Sequence, residues 1–222
     1  LMRVFPVILA VVMVGLSWTH APDVSAEDKK LKVAFALLWT IDDQGWTTSH
    51  YNGIKHLQEQ MGDKIEVSYT EKVLAADAER VFRDYAKKGY DIIFGTTFEH
   101  MDPLLAVAKD YPDIKFEHCS GFKTADNMAT YFGRMYQPRY LSGLVAGAMT
   151  ETNLIGYVAA FPIPEVIRGI NAFTLGVRSV NPNAQVRVVW TNTWFDPVKE
   201  REAAVALLDA GADMISQHQD TT

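Results

Sequence analysis

From Leu31 onward, short apolar runs alternate with longer amphipathic stretches, and this alternation dictates a parallel sheet wrapped in helices. Two parallel strands cannot be joined by a tight turn. A crossover helix must carry the chain back, and helices then cover both faces of the sheet, so its strands read as nearly continuous apolar segments. Strands are expected at 31–38, 64–70, 90–95, 114–119, 154–160, 185–191 and 212–217, with helices in the intervals.

The helix expected over 46–61 sets Ile54 and Leu57 on one face with Tyr51 nearby, and Gly62 ends it. The helices of 76–88 and 197–210 stop at Gly89 and Gly211, glycine being favoured just past a helix because it adopts positive φ without a Cβ penalty. Asp102-Pro103 and Asp196-Pro197 each read as an N-cap followed by proline at the first helical position, where the missing N–H costs nothing. Segment 136–151 carries Gly and Ala at a close spacing that lets a helix lie tightly on a neighbour, as at a domain border. A fresh β-α-β-α-β series starts at Leu154. The expected organisation is therefore an N-terminal lobe over 27–152 and a second lobe over 153–222, incomplete in this chain, with the passage near 151–153.

Residues 1–26 have a different character. Arg3 precedes an apolar run from Val4 to Leu16 and then the small-residue site Val24-Ser25-Ala26, the pattern of a cleaved secretory signal peptide. The run is shorter than the roughly 20 residues a spanning helix needs. Export to the periplasm is the expectation. Because the sequence starts at Leu1 before Met2 and stops at Thr222 just after a strand, it reads as cut from a longer frame. With 48% hydrophobic residues the chain can bury a sizeable core, which it needs, because a single cysteine, Cys119, cannot form an internal disulfide. The net charge is −6 and no Lys/Arg run could track phosphates, so nucleic acid is not an expected partner.

In open parallel sheets, ligands bind beyond the carboxyl ends of the strands. The segments that follow the expected strands are 39–46, 96–102, 120–123, 161–165, 192–196 and 218–222, and they hold Trp39, Trp46 and Trp194. Exposed loops normally avoid such large aromatics. A cleft walled by aromatic faces, with Asp42, Asp43, Asp102, Asp196, Gln44 and Asn192 around it, suits a planar, hydrogen-bonding solute such as a nucleobase. Stacking on aromatic rings contributes roughly 1–3 kcal/mol per base. The competing account is that these rings plug interlobe packing and the Asp residues cap helices. Asp196 fits the cap better, Trp46 and Trp194 fit ligand contact better, and Trp39, Phe98 and Phe161 fit either.

Five motifs then resemble one family, the basic membrane protein family of ABC-transporter substrate-binding proteins, which is similar to purine nucleoside receptors. They are Ile41-Asp42-Asp43-Gln44-Gly45-Trp46 with Gly53, Gly95-Thr96-Thr97-Phe98 leading to Asp102, Tyr140-Leu141-Ser142-Gly143 with Ala146-Gly147, Pro162-Ile163-Pro164, and Trp194-Phe195-Asp196-Pro197-Val198-Lys199. The resemblance covers nearly all of the chain after residue 26. It implies the type I periplasmic binding fold, an α/β architecture of two doubly wound parallel-sheet lobes with a ligand cleft between them. It also implies uptake of a purine base or nucleoside in partnership with a membrane permease. By the same resemblance Trp46 stacks on one side of the base and Trp194 closes the other, Asp102 contacts base or ribose, and Asp43 touches the ligand. The chain departs from the family in Trp46-Thr47, where Phe-Asn is usual, and in His218-Gln219-Asp220, where a Gly-rich segment is common. A free base or another heteroaromatic, such as a flavin, is therefore as compatible as a nucleoside.

An enzyme is not expected. His118 and Cys119 are adjacent on a strand, so their side chains leave on opposite faces and cannot form a dyad. The six histidines show no metal-site spacing, and neither G-x-S-x-G nor G-x-G-x-x-G occurs. No cofactor or metal is implied. A transport receptor and a sensory module that docks on a chemoreceptor or kinase share one fold and one cleft, and both remain open.

Overall fold

A computed structural model describes residues 29–220. The expected signal peptide lies outside the described residues. Within them the alternation read from the sequence becomes two parallel sheets.

The first sheet takes β1 (Leu31–Ala36), β2 (Ile65–Thr70), β3 (Ile92–Gly95), β4 (Lys115–Cys119) and β5 (Met128–Tyr131) in the order β2-β1-β3-β4-β5, every neighbour parallel. Three helices cross over, α1 (Trp46–Met61), α2 (Ala75–Lys87) and α3 (Met101–Asp110). Central β1 is buried on both faces, as side chains alternate. Val33 and Phe35 join Leu37 and Ile54 on one side, while Ala34 and Ala36 join Phe82, Tyr85, Leu104 and Phe116 on the other. In α2, Ala78, Val81, Phe82, Tyr85 and Ala86 are buried at the spacing that makes one apolar stripe on a helix.

The second sheet has β6 (Leu154–Ala159) between β7 (Gln185–Trp190) and β8 (Met214–His218), again parallel, with α5 (Pro164–Val180) and α6 (Pro197–Asp209) as crossovers. Helix α4 (Tyr136–Met149) lies on α5 backbone to backbone. A Cβ added at Gly143 would sit 2.1 Å from the Phe173 carbonyl oxygen, and one at Gly176 2.1 Å from that of Tyr140.

Three differences from the sequence reading have physical causes. First, the tight helix contact was expected at 136–151, but its partner α5 belongs to the second sheet, and Ala146 shares a core with Ile155 and Val177. Helix α4 therefore packs with the second sheet. Second, β5 was not expected. It is a four-residue edge strand whose exposure lacks a clean alternation, so it leaves little trace in the sequence. Third, a 3-10 turn over Phe98–His100 runs straight into α3, which makes Asp102 the second helical residue instead of the N-cap. Asp196 does cap α6, accepting from the Lys199 N–H at 3.1 Å. Gly89 and Gly211 take φ of 73° and 97° just past their helices, as expected.

In the first sheet the strand order reverses between β1 and β3, which opens a crevice at their carboxyl ends. The loops after β1, β3 and β4 meet those after β6, β7 and β8 at that crevice.

Candidate functional site

Between the two sheets lies a narrow chamber of about 30 Å³, bordered by Leu38, Trp46, Thr97, Phe98, Ser120, Glu165, Trp194, His218 and Asp220. The first lobe contributes Leu38 to Ser120 and the second contributes the rest.

Trp46 is the first residue of α1, and Asp43 fixes that helix start. The Asp43 carboxylate accepts from the backbone N–H groups of Gly45 (2.9 Å), Thr47 (2.9 Å) and Thr48 (2.8 Å) and from the Thr48 hydroxyl (2.9 Å). Burial alone would raise its pKa, but these bonds outweigh burial and hold the group below the usual carboxylate value. The Trp46 indole N–H donates to the Thr96 carbonyl at 2.8 Å, and its ring lies 4.8 Å from the His50 ring and 6.2 Å from Phe132. Trp194, in the loop between β7 and α6, donates its indole N–H across the lobes to Glu99 Oε1 at 2.6 Å. Its ring is 5.2 Å from Phe161 and 6.1 Å from His218. A second interlobe bond runs from the Ser120 hydroxyl to Glu165 Oε2 at 2.6 Å.

The other residues singled out from sequence separate into groups. Phe98 borders the same chamber as the two tryptophans. Phe161 backs Trp194 and borders an adjoining cleft with Trp39, Glu99 and Phe195. Trp39 stands 6.1 Å from Phe195 and borders a further cleft with Thr40, Asp43, Lys72 and Asp220, and its indole Nε1 is buried with no partner. Asp43 edges that cleft, though its oxygens hold α1. Asp102 is not on the chamber lining: its side chain is 68% exposed and pairs with Lys123 Nζ at 2.6 Å. The early helix start accounts for this, because it points the second helical residue outward instead of back over the strand end.

Four bordering residues, Ser120, Glu165, His218 and Asp220, were inside the strand-end segments without being singled out. Glu165 had a legible signal, an acid in the otherwise apolar Phe-Pro-Ile-Pro-Glu stretch. Burial pushes the Glu165 carboxyl up to about 7, with the Glu99 carboxylate adding to it against the Ser120 bond and the Arg168 charge. Asp220 is also pushed up to about 7, by burial first and then by Asp43, Glu200 and Glu99. His218 is held down to about 4 by burial and by Arg139, and its Nδ1 is buried with no partner. The imidazole is thus neutral at ordinary pH.

Two carboxyls poised near neutrality beside flat aromatic walls suit recognition of a planar donor. His118 turns its Nε2 to the Thr97 carbonyl at 2.7 Å, and burial pushes the Cys119 thiol up to about 12, which leaves the thiol un-ionised at ordinary pH. Among the described residues no group of three or more His, Cys, Asp or Glu could hold a metal ion, and no helix is long and apolar enough to cross a membrane.

Comparison with known proteins agrees with this architecture. A family profile described as ABC transporter substrate-binding protein PnrA-like matches residues 30–222. The chain is 52% identical over 196 residues to a putative ABC transporter glucose-binding protein of Haloferax volcanii, covering 88% of this chain and 50% of that protein. It is 48% identical over 196 residues to a purine-binding protein of Brucella abortus, covering 88% and 56%. The chain spans about half the length of the curated relatives it matches. Among solved structures, an ABC transporter solute-binding protein of Aeropyrum pernix aligns with a TM-score of 0.71 at 22% identity, over 84% of this chain and 54% of that one. One from Conexibacter woesei aligns with a TM-score of 0.61 at 26% identity, over 85% and 64%. Both of these curated relatives are named as binding proteins, and the chain has the parallel α/β fold of periplasmic binding proteins. The profile matched from Lys30 onward places the chain in a family: it belongs to the PnrA-like ABC transporter substrate-binding proteins.

Proposed function

We propose that the protein is the extracytoplasmic receptor of an ABC importer, and that it encloses a purine base or nucleoside in the interlobe chamber and hands it to a membrane permease. The observation that carries this reading is that Trp46 and Trp194, 148 positions apart in the numbering and on different lobes, border one chamber with Phe98. Stacking on such rings contributes roughly 1–3 kcal/mol per base. The cavity itself is narrow, about 30 Å³, so a purine enters only if the lobes part. Glu165 and Asp220 supply acceptors for ring N–H or ribose hydroxyl groups. The relative named as purine-binding supports the ligand class. Closure of the two lobes over the solute by hinge motion would present a shape the permease recognises.

A sugar is the second reading, favoured by the relative named as glucose-binding and by the fact that indole faces also pack on sugar rings. A thermal-shift screen of purine bases, nucleosides, flavins and sugars on the full-length protein separates the two. Stabilisation by purines with none by hexoses supports the proposal, and the reverse pattern replaces it with the sugar reading.

A further inference from the structure

Two hydrogen bonds cross from one lobe to the other beside the chamber. The Trp194 indole N–H donates to Glu99 Oε1 at 2.6 Å, and the Ser120 hydroxyl donates to Glu165 Oε2 at 2.6 Å. Neither Glu99 nor Trp194 can follow the other if the lobes separate. The second Glu99 oxygen accepts from the Thr97 hydroxyl at 2.6 Å, and the turn that carries it is tied to the first sheet. There the Thr97 carbonyl accepts from His118 Nε2 at 2.7 Å, and the Thr96 hydroxyl donates to the Ala36 carbonyl at 2.7 Å. Trp194 is fixed to the second lobe in the same way, with Phe161 5.2 Å from its ring and its carbonyl accepting from the Asp220 N–H at 2.9 Å. Parting the lobes therefore breaks both crossing bonds. Each is made to a carboxyl group, and a bond to an ionised carboxylate is roughly twice as strong as one between neutral partners.

With these bonds made, the chamber measures about 30 Å³. One water needs roughly 10–15 Å³ of such space, so there is room for about two waters and none for a heterocycle or a sugar ring. We propose that the Trp194–Glu99 bond, with Ser120–Glu165 beside it, is an autoinhibitory latch: it holds the lobes shut over a space too small for a solute, which enters only in competition with it. This inference rests on the reading of the chamber as a solute site and not on the solute's being a purine. A protein whose binding-competent form is a fraction of the population shows an affinity reduced by that fraction, so loosening the latch tightens apparent binding. Removing the Glu99 carboxylate takes no wall from the solute, because Glu99 borders the adjoining cleft rather than the chamber itself.

The test compares Glu99→Ala and Glu99→Gln with the wild type, all as full-length protein. Without solute, the Trp194 indole N–H, identified through Trp194→Phe, should exchange with solvent at least about tenfold faster in Glu99→Ala than in the wild type. Small-angle scattering should show the same variant more open. Calorimetry with adenosine and with glucose should show Glu99→Ala binding whichever probe the wild type binds at least about threefold more tightly. Glu99→Gln should return all three readings toward the wild type, because its amide carbonyl still accepts from the indole while its NH₂ donates to the Thr97 hydroxyl. Weaker or unchanged binding in Glu99→Ala, or an indole N–H that exchanges at the wild-type rate, would overturn the latch. If the wild type binds neither probe, the solute reading falls, and exchange and scattering still decide the latch by themselves.

Discussion

The two lobes pack their helices by different means. The first has five parallel strands with an apolar cluster on each face, and its helices meet the sheet through ordinary side chains such as Phe82, Leu104 and Ile54. The second has three strands among the described residues, and there α4 and α5 meet at Gly143, Gly147 and Gly176 so closely that carbonyl oxygens occupy the space of missing Cβ atoms. A wide sheet tolerates exchange of one side chain for another, because neighbouring side chains relax. A backbone-to-backbone contact cannot relax, so the α4–α5 pair is sensitive to substitution at these few glycines. The chamber shows a parallel asymmetry. The first lobe brings Trp46, Phe98 and the hydroxyls of Thr97 and Ser120, whereas the second brings Glu165, His218 and Asp220 with Trp194.

The comparison of packing breaks most sharply at Gly143. Gly143→Ala should destabilise the protein by about 3 kcal/mol, the upper range for overpacking, because the new methyl meets a carbonyl held by its own helix. Urea unfolding that shows a loss below about 1 kcal/mol would contradict the backbone lock. The two tryptophans compare the lobes at the site. Trp46→Ala and Trp194→Ala should each weaken purine binding by at least about tenfold, with Trp194 the smaller because its removal also releases Glu99. Calorimetry giving unchanged affinity in both variants would remove stacking from the account.

Protonation sharpens the second lobe's acidic contribution. Hydration in an opened cleft would return Glu165 and Asp220 toward the ordinary values of 4.5 and 3.8, whereas as enclosed here both are pushed up to about 7. The closed form therefore binds more protons than the open form, so its advantage is fully present below the ordinary values and is lost as pH rises through about 7. The ligand-free protein should be more closed at about pH 5 than at about pH 8, by at least about tenfold in population. Small-angle scattering that shows no change, or opening toward acid, would reject this. Arg168 and Ser120 beside Glu165, and Asp43, Glu200 and Glu99 around the two carboxyls, set the size of the effect.

The smaller effects fall on α1 of the first lobe. Asp43→Ala removes the carboxylate that holds its first turn and should cost about 1 kcal/mol in urea unfolding, with weaker purine binding because Trp46 begins that turn. Gly53→Ala, where a Cβ meets nothing within 4 Å, should stabilise by roughly 0.5–1 kcal/mol. A loss there of the size expected at Gly143 would erase the distinction between the lobes.

Much of the fold was legible because a parallel sheet imposes a strong local pattern. Seven of the expected strands match β1–β4 and β6–β8 to within a few residues at each end. Edge strand β5 escaped because four residues with one exposed side carry no period. The 3-10 entry to α3 escaped because Asp-Pro at a cap and Asp-Pro two residues further in look alike in sequence, and only the neighbouring chain chooses between them. In the chamber, aromatics were conspicuous since loops seldom carry Trp, whereas Glu165 and Asp220 resembled any surface acid until the opposing lobe covered them.

By itself the sequence determined the alternation of elements, the helix stops at Gly89 and Gly211, and the placing of Trp46 and Trp194 just beyond strands, since each follows from interactions within a few residues. Tertiary structure alone decided that α4 packs with the second sheet, that Asp102 turns outward to Lys123, and that two half-buried acids are pushed up to about 7. Those outcomes depend on which surfaces exclude water from one another. That is a property of chain segments brought together across the fold, and no local window of residues contains it.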